Sequence, residues 1–274
     1  MFTPKTKRIQ NLIEKFPYVV EDLDPIFGSG SANVYLDYGN VRNWSNRLEW
    51  HIDLKRLKQL LDSFGGKIVA KFYYGTRDGM ADSEELIRTT KEMGYKVLTK
   101  PVKTIKLSID VSSVSPDSPD ILRNLICTPL LKTLSVQSIE HLNDHLRDLN
   151  KKGVLSFDDL KCNFDVEMGR DMLVDQAVGE ADVFALWSCD SDFAGSVEEL
   201  LDDGKQVVVF GTSGMVAREL NMLRSKGLKV YDVKKLKEMI CWARELPEEL
   251  KTPKSQEDTL RCPQAKMLWS RDHE

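Results

Sequence analysis

Histidine is scarce in this chain, and cysteine is nowhere closely paired. The four histidines are His51, His141, His145 and His273, and the five cysteines are Cys127, Cys162, Cys189, Cys241 and Cys262, with no Cys-x-x-Cys among them. This pattern argues against a structural zinc site. An odd number of scattered thiols fits reduced cysteines in a cytosolic protein better than a disulfide framework. No stretch approaches the roughly 18 apolar residues of a membrane helix. Residues 1–16 carry Lys5, Lys7, Arg8, Glu14 and Lys15 and lack the apolar centre of a secretory signal. A net charge of −4 argues against a generally basic coat for nucleic acid. It leaves room for a local basic rim around an acidic centre that bound metal offsets. These absences predict a soluble cytoplasmic protein with no membrane partner.

What the chain does have is a rhythm. With 274 residues and 41% hydrophobic content it can hold one large α/β domain with additions, or two small ones. Ile9, Leu12, Ile13 and Phe16 predict a short amphipathic leader helix over 5–16. Pro17, Pro25 and the run Gly28-Ser29-Gly30-Ser31 predict a broken, flexible lead-in, so that residues 1–30 form leader and linker. Those glycines precede a strand, whereas the glycines of a dinucleotide loop follow one. From residue 32, strands at 32–37, 67–74, 95–99, 183–189, 205–211 and 228–231 alternate with helices at 53–64, 82–94, 165–178, 192–203, 215–226 and 233–242. Such alternation predicts βαβ units, and hence a parallel sheet with helices on both faces. Residues from about 100 to 160 break the pattern. Ile105, Leu107, Ile109 and Val111 alternate with polar residues like a half-exposed strand, residues 112–119 read as a loop, and 129–150 as a helix. This segment is expected to be an insertion within a domain spanning 31–242, serving as a lid or as an oligomer contact. Beyond Trp242, three prolines among mixed charges predict a flexible tail over 243–274.

Two of the strands end in acidic turns. Val183-Phe184-Ala185-Leu186-Trp187 runs into Ser188-Cys189-Asp190-Ser191-Asp192-Phe193, and Ala32-Asn33-Val34-Tyr35-Leu36 runs into Asp37-Tyr38-Gly39-Asn40. Ligands of open α/β sheets bind at the carboxyl ends of strands. Carboxylates delivered there suit Mg²⁺ or Mn²⁺, which take hard oxygen ligands. A third acid, Asp165, stands where helix 165–178 begins. Asp171 lies about 120° further around that helix, so the two cannot both aim straight at one point. Taken singly, each aspartate reads as a cap or turn residue. Together, the two strand-end sets favour a metal site.

At this point the sequence resembles a family. Asp37-x-x-Asn40 after a strand, Asp165-Val166-x-x-x-x-Asp171 and Ser188-x-Asp190-Ser191-Asp192-Phe193, followed by Gly204-Lys205-x-Val207 and Gly211-x-Ser213, look like the NYN domain of the LabA-like type, within the PIN-like nuclease superfamily. The resemblance covers 32–99 and 161–242 and keeps the family's motif order. It departs at Cys189, where the family usually has Gly, and in the length of the 100–160 segment. It implies a PIN-like Rossmannoid three-layer α/β fold. It also implies a metal-dependent (endo)ribonuclease that hydrolyses RNA phosphodiester bonds, or a nuclease-like RNA-binding domain. The implied catalytic residues are Asp37, Asn40, Asp165, Asp190 and Asp192. Asp37, Asp165, Asp190 and Asp192 would ligate Mg²⁺ or Mn²⁺, with Asp171, Ser188 and Ser191 nearby. The residue chemistry agrees independently. Phosphodiester hydrolysis needs a hydroxide-like water and charge compensation at the leaving oxygen, which two divalent ions roughly 3.5–4 Å apart supply. Asn40, being uncharged, is better suited to orient a phosphate or a water than to bind metal.

Candidate RNA contacts surround these motifs. Arg42, Trp44, Arg47 and Trp50 mix cations with aromatics as single-strand binders do. Lys100, Lys103 and Lys106 follow the third strand, and Lys161 and Arg170 flank Asp165. The plainer alternative is that the tryptophans pack in the core and the lysines form a solvated face. RNA, single-stranded or structured, is the expected partner. Two rival readings stand beside the nuclease. One is a degenerate NYN domain acting as an RNA-binding or interaction adaptor, against which all four acidic positions are retained. The other is a haloacid-dehalogenase-like phosphatase whose Asp190 attacks phosphate covalently, although no later acidic pair ends a strand.

Overall fold

The computed structural model describes residues 2–76, 80–109, 133–151, 155–212 and 214–250. The chain forms two compact units, one of Met1–Pro101 with Cys162–Glu274, the other of Val102–Lys161. In chain order the strands are β1 (Ser31–Asp37), β2 (Lys67–Thr76), β3 (Lys96–Pro101), β4 (Lys103–Ile109), β5 (Leu155–Lys161), β6 (Val183–Trp187), β7 (Gln206–Gly211) and β8 (Lys229–Asp232). The longer helices are α1 (Lys7–Lys15), α2 (Tyr18–Phe27), α3 (Leu54–Leu61), α4 (Ala81–Glu92), α5 (Val136–Lys151), α6 (Asp165–Ala177) and α7 (Ala194–Asp202).

The first unit is a three-layer α/β fold. Its six strands are all parallel and lie in the order β3-β2-β1-β6-β7-β8. Both faces are covered, which is why β6 and β7 read as nearly continuous apolar runs. On one face Val34, Leu36, Phe72, Trp187 and Phe210 pack against Leu12, Leu23, Phe27, Leu57 and Leu86 of α1 to α4. On the other, Tyr35, Tyr73, Phe184 and Val207 pack against Met168 and Met172 of α6 and Val197 and Leu200 of α7.

The lead-in corrects the sequence reading. Residues 18–27 are helical with Pro25 inside the helix, and Val19, Leu23, Ile26 and Phe27 are buried. Burying four such side chains, at about 1.5–3 kcal/mol each, outweighs the ~3 kcal/mol of an interior proline. The helices expected over 215–226 and 233–242 are each only a short helical turn joined to a 3₁₀ turn.

The second unit contains β4 and β5, paired antiparallel from Lys103↔Lys161 to Ile109↔Leu155, and α5. Neither strand joins the six-stranded sheet. Val111, the expected loop at 112–119 and the start of the expected helix 129–150 lie outside the described residues. So does most of the expected tail; its first part forms two 3₁₀ turns, Ala243–Glu245 and Glu248–Leu250. Among the described residues no helix is long and apolar enough to cross a membrane.

A buried polar network ties α6 to the sheet. Asp175 accepts from Asn33 Nδ2 at 2.8 Å and from the Tyr35 hydroxyl, and it forms an ion pair with Lys71. Lys71 is only 3% exposed and Asp175 5%. One turn earlier on α6, Asp171 Oδ2 accepts from the Tyr73 hydroxyl at 3.0 Å. Asn33 and Tyr35 alternate along β1, and Lys71 and Tyr73 along β2, so all four present to the α6 face. Burial and the neighbouring carboxylates push both tyrosine hydroxyls well above their ordinary range, so they act as neutral donors.

Lys71→Met should lower unfolding free energy by about 3–5 kcal/mol, because it leaves the Asp175 carboxylate buried without its countercharge. Lys71→Met combined with Asp175→Leu should cost less than Lys71→Met alone. Urea unfolding of the two variants checks this, and a single variant as stable as the wild type would contradict it.

Candidate active site

The chain reverses its direction of winding between β1 and β6, since β2 and β3 lie beyond β1 and β7 and β8 beyond β6. That is a topological switch point, where the loops leaving adjacent strands part and open a crevice. Leu36 and Trp187 are register partners, so the next residues out are Asp37 and Ser188. Ser188 Oγ donates to Asp37 Oδ2 at 3.3 Å. Asp37 Oδ1 accepts from the Asn40 N–H at 3.2 Å, capping the turn Tyr38–Val41. Asp190 caps Ser191–Phe193 in the same way, accepting from the Asp192 N–H and from Ser191 Oγ, each at 3.4 Å. The carboxylates expected at the site are therefore also the caps of their turns. Asp165, the first residue of α6, is not a cap; its own N–H donates to Asn163 Oδ1 at 3.1 Å.

The charges reveal the grouping. The Asp165 carboxyl is pushed up to about 6, chiefly by burial, and also by the negative charges of Asp190 and Asp37 and by contact with Asp192, against the Asn163 hydrogen bond. Burial also pushes Asp37 up, with Asp190 adding to the effect and the Asn40 N–H and Ser188 hydroxyl opposing it. Asp37, Asp165, Asp190 and Asp192 thus share one neighbourhood. Asp171 faces elsewhere, held by Tyr73 and by Arg170 at 3.1 Å.

Among the described residues, no three His, Cys, Asp or Glu side chains stand close enough together to hold a metal ion. The donor set does not fit an ion enclosed wholly by protein ligands. It does fit Mg²⁺ or Mn²⁺ that keeps most of its waters, because such ions need only one or two carboxylates.

Cys189, the departure from the family pattern, is accommodated by the neighbouring strand. A Cβ on Gly211 would lie 2.5 Å from the Cys189 sulfur, so the glycine at the end of β7 leaves the room that the thiol fills. Burial pushes that thiol up to about 12, keeping it neutral. The Ala217 N–H donates to the Cys189 carbonyl at 3.0 Å and pins the turn.

Of the expected RNA contacts, Trp44 needs correction. It is 4% exposed and stacks on Trp187, with centroids 6.4 Å apart and planes at 18°. Its indole Nε1 donates to Asn40 Oδ1 at 2.7 Å. Trp50 is buried as well. The segment 38–48 folds into successive helical turns, Tyr38–Val41, Arg42–Trp44 and Ser45–Leu48, with the Trp44 indole directed inward. Arg47 Nη1 donates to the Gly214 carbonyl at 2.7 Å, which ties this segment to the loop after β7. Arg42 is half-buried and Arg170 exposed, while Lys103 begins β4 in the second unit. Lys100 serves a structural purpose at the start of α6. It bonds the Asn163 carbonyl, pairs with Glu167 at 2.8 Å and covers the Phe164 ring at 4.7 Å. Sequence reasoning missed Asn33, Lys71 and Asp175, although Asn33 and Lys71 interrupt otherwise apolar strands.

Residues 135–228, about a third of the chain, match the NYN domain, a family of the PIN-like nuclease superfamily. The match includes Asp165, Asp171, Asp190 and Asp192 and stops short of Asp37 and Asn40. No curated protein matches the chain. A solved structure, described as a protein of unknown function from Vibrio parahaemolyticus, is similar at a TM-score of 0.46 and 14% identity, over 76% of this chain and 96% of that one.

Asp165→Asn should stabilise the metal-free protein. A folded-state pKa of about 6 against an ordinary 3.8 means the folded state binds the proton more tightly, so stability falls as pH rises towards 6. Asp165 is partly exposed, and solvent screening leaves roughly 1 kcal/mol of that effect. Calorimetry in EDTA should show the variant melting about 2–4 °C higher above pH 6, with the gain gone below about pH 4. Equal melting at both extremes would contradict the crowding of charges.

Proposed function

We propose that this protein is a cytoplasmic, divalent-metal-dependent ribonuclease of the LabA-like NYN type, acting on single-stranded or structured RNA. One observation supports the reading: Asp37 and Asp190 cap the turns that leave the adjacent strands β1 and β6 at the switch point, with Asp165 opening α6. Carboxylates that repel one another at a strand edge favour a cation between them. The NYN match over the second half of the motif set supports the same reading.

Asp37 and Asp190, with Asp165 and Asp192 beside them, would hold Mg²⁺ or Mn²⁺. Such an ion supplies an activated water and offsets charge on the leaving oxygen. The rest falls to the chain itself. Ser188 and the Asn40 N–H hold the two Asp37 oxygens in place, and the Asp192 N–H holds Asp190. Asp165, a carboxylate at the start of α6, would be the group to accept a proton at its carboxylate oxygen. Arg42, Arg47 and Arg170 are the cations proposed to meet the RNA backbone. A second reading, an RNA-binding adaptor that does not cut, draws support from the lack of three converging ligands among the described residues.

Asp37→Asn and Asp190→Asn should each reduce cleavage of single-stranded RNA on the order of 10²-fold or more, the scale of losing one electrostatic stabiliser in such a site. The fold should survive, since the amide is nearly isosteric, and EDTA should abolish wild-type activity. Full cleavage in EDTA, or full activity in both variants, would sink the metal-nuclease account. RNA binding without cleavage would favour the adaptor. Release of phosphate from small phosphomonoesters, lost in Asp190→Asn and kept in Asp37→Asn, would identify a phosphatase.

A further inference from the structure

The side-chain amide of Asn40 has its orientation fixed from within the protein. Trp44 lies one helical turn further on, and its indole Nε1 donates to Asn40 Oδ1 at 2.7 Å. An indole N–H only donates. The amide oxygen must therefore face Trp44, because the flipped amide would set donor against donor. Trp44 is itself locked, buried and stacked on Trp187. The Asn40 backbone N–H is already engaged by Asp37 Oδ1 at 3.2 Å. Among the described residues Asn40 Nδ2 donates to no protein acceptor, and Asn40 is half-buried in the turn that follows β1. Beside carboxylates that only accept, Asn40 offers two N–H donors.

We infer that Trp44 is a positioning residue that fixes Asn40 as a hydrogen-bond donor to an anionic phosphate oxygen of the substrate. The same contact withholds the Asn40 oxygen from a cation held by the neighbouring carboxylates. The inference rests on the RNA reading above and sharpens it. At an edge rich in carboxylates that only accept, the Asn40 amide supplies a donor face for a phosphate oxygen. It also accounts for an indole at position 44. A phenylalanine has a ring to lay against Trp187 but no N–H, and would leave the amide free to turn.

Nuclear magnetic resonance of the full chain, isotope-labelled at asparagine and tryptophan, tests this directly. A short single-stranded oligoribonucleotide should shift the Asn40 side-chain amide pair much further than Mg²⁺ alone does. Trp44→Phe should broaden or split that pair as both orientations become populated. It should also weaken RNA binding about two- to tenfold, the scale of one neutral hydrogen bond. Asn40→Asp keeps an acceptor for Trp44 and removes both donors, so it should fold and lose at least as much affinity. That variant decides the matter if Trp44→Phe fails to fold. The inference is overturned if Mg²⁺ alone moves the wild-type Asn40 pair as far as RNA does, or if either variant keeps full RNA affinity. RNA that binds without moving the Asn40 pair overturns it and leaves the ribonuclease reading standing. RNA that fails to bind at all overturns both.

Discussion

An ammonium and a carboxylate buried together beneath α6 set the geometry of the acidic edge. Taking Lys71 and Asp175 out of water is expensive, and it is tolerated because Asp175 also receives donors from Asn33 and Tyr35. Those contacts are directional. Met168 and Met172, which cover the same face of the sheet, are flexible side chains that would accept several helix rotations. The polar network accepts far fewer. Apolar burial supplies the bulk of the stabilisation, and the network supplies the alignment. With Asp171 latched to Tyr73 one turn earlier, the rotation of α6 is fixed. Its N-terminal residue Asp165 is thereby delivered to the neighbourhood of Asp37 and Asp190.

At that edge, local structure and the proposed metal site draw on the same atoms. Asp37 and Asp190 each cap the turn that follows their strand, so their direction is fixed by backbone N–H groups before any ligand arrives. Crowding like charges there works against stability, a cost commonly found where a site is preorganised. Crossing from one strand to the next, Cys189 occupies room that exists only because position 211 is glycine. The side chain that departs from the family pattern is thus absorbed toward β7, and the Asp190 turn keeps its form.

The parallel sheet was legible because its strands are covered on both faces and so read as apolar runs separated by amphipathic helices. The acidic strand ends were legible for a related reason, since a carboxylate directly after such a run has few places to go except the sheet edge. Helix α2 was not, because Pro25 and the glycines after it outweigh the apolar spacing of Val19, Leu23 and Ile26 when each residue is judged locally. Trp44 was misjudged because cations and aromatics interleaved in sequence look alike whether the indoles face in or out. Lys71 was visible as a charge inside a strand. Its partner Asp175 lies on a helix far along the chain, and only the packed structure joins them.

The central claim is that the acidic edge between β1 and β6 holds a divalent cation. Anomalous difference density from a crystal soaked in Mn²⁺ tests it most directly. A peak should lie at that edge, within the 2.0–2.6 Å span of oxygen ligation to such ions of Asp37 or Asp190, and should vanish in Asp190→Asn. A soaked crystal with no peak at that edge, or with its manganese bound elsewhere, would contradict the account.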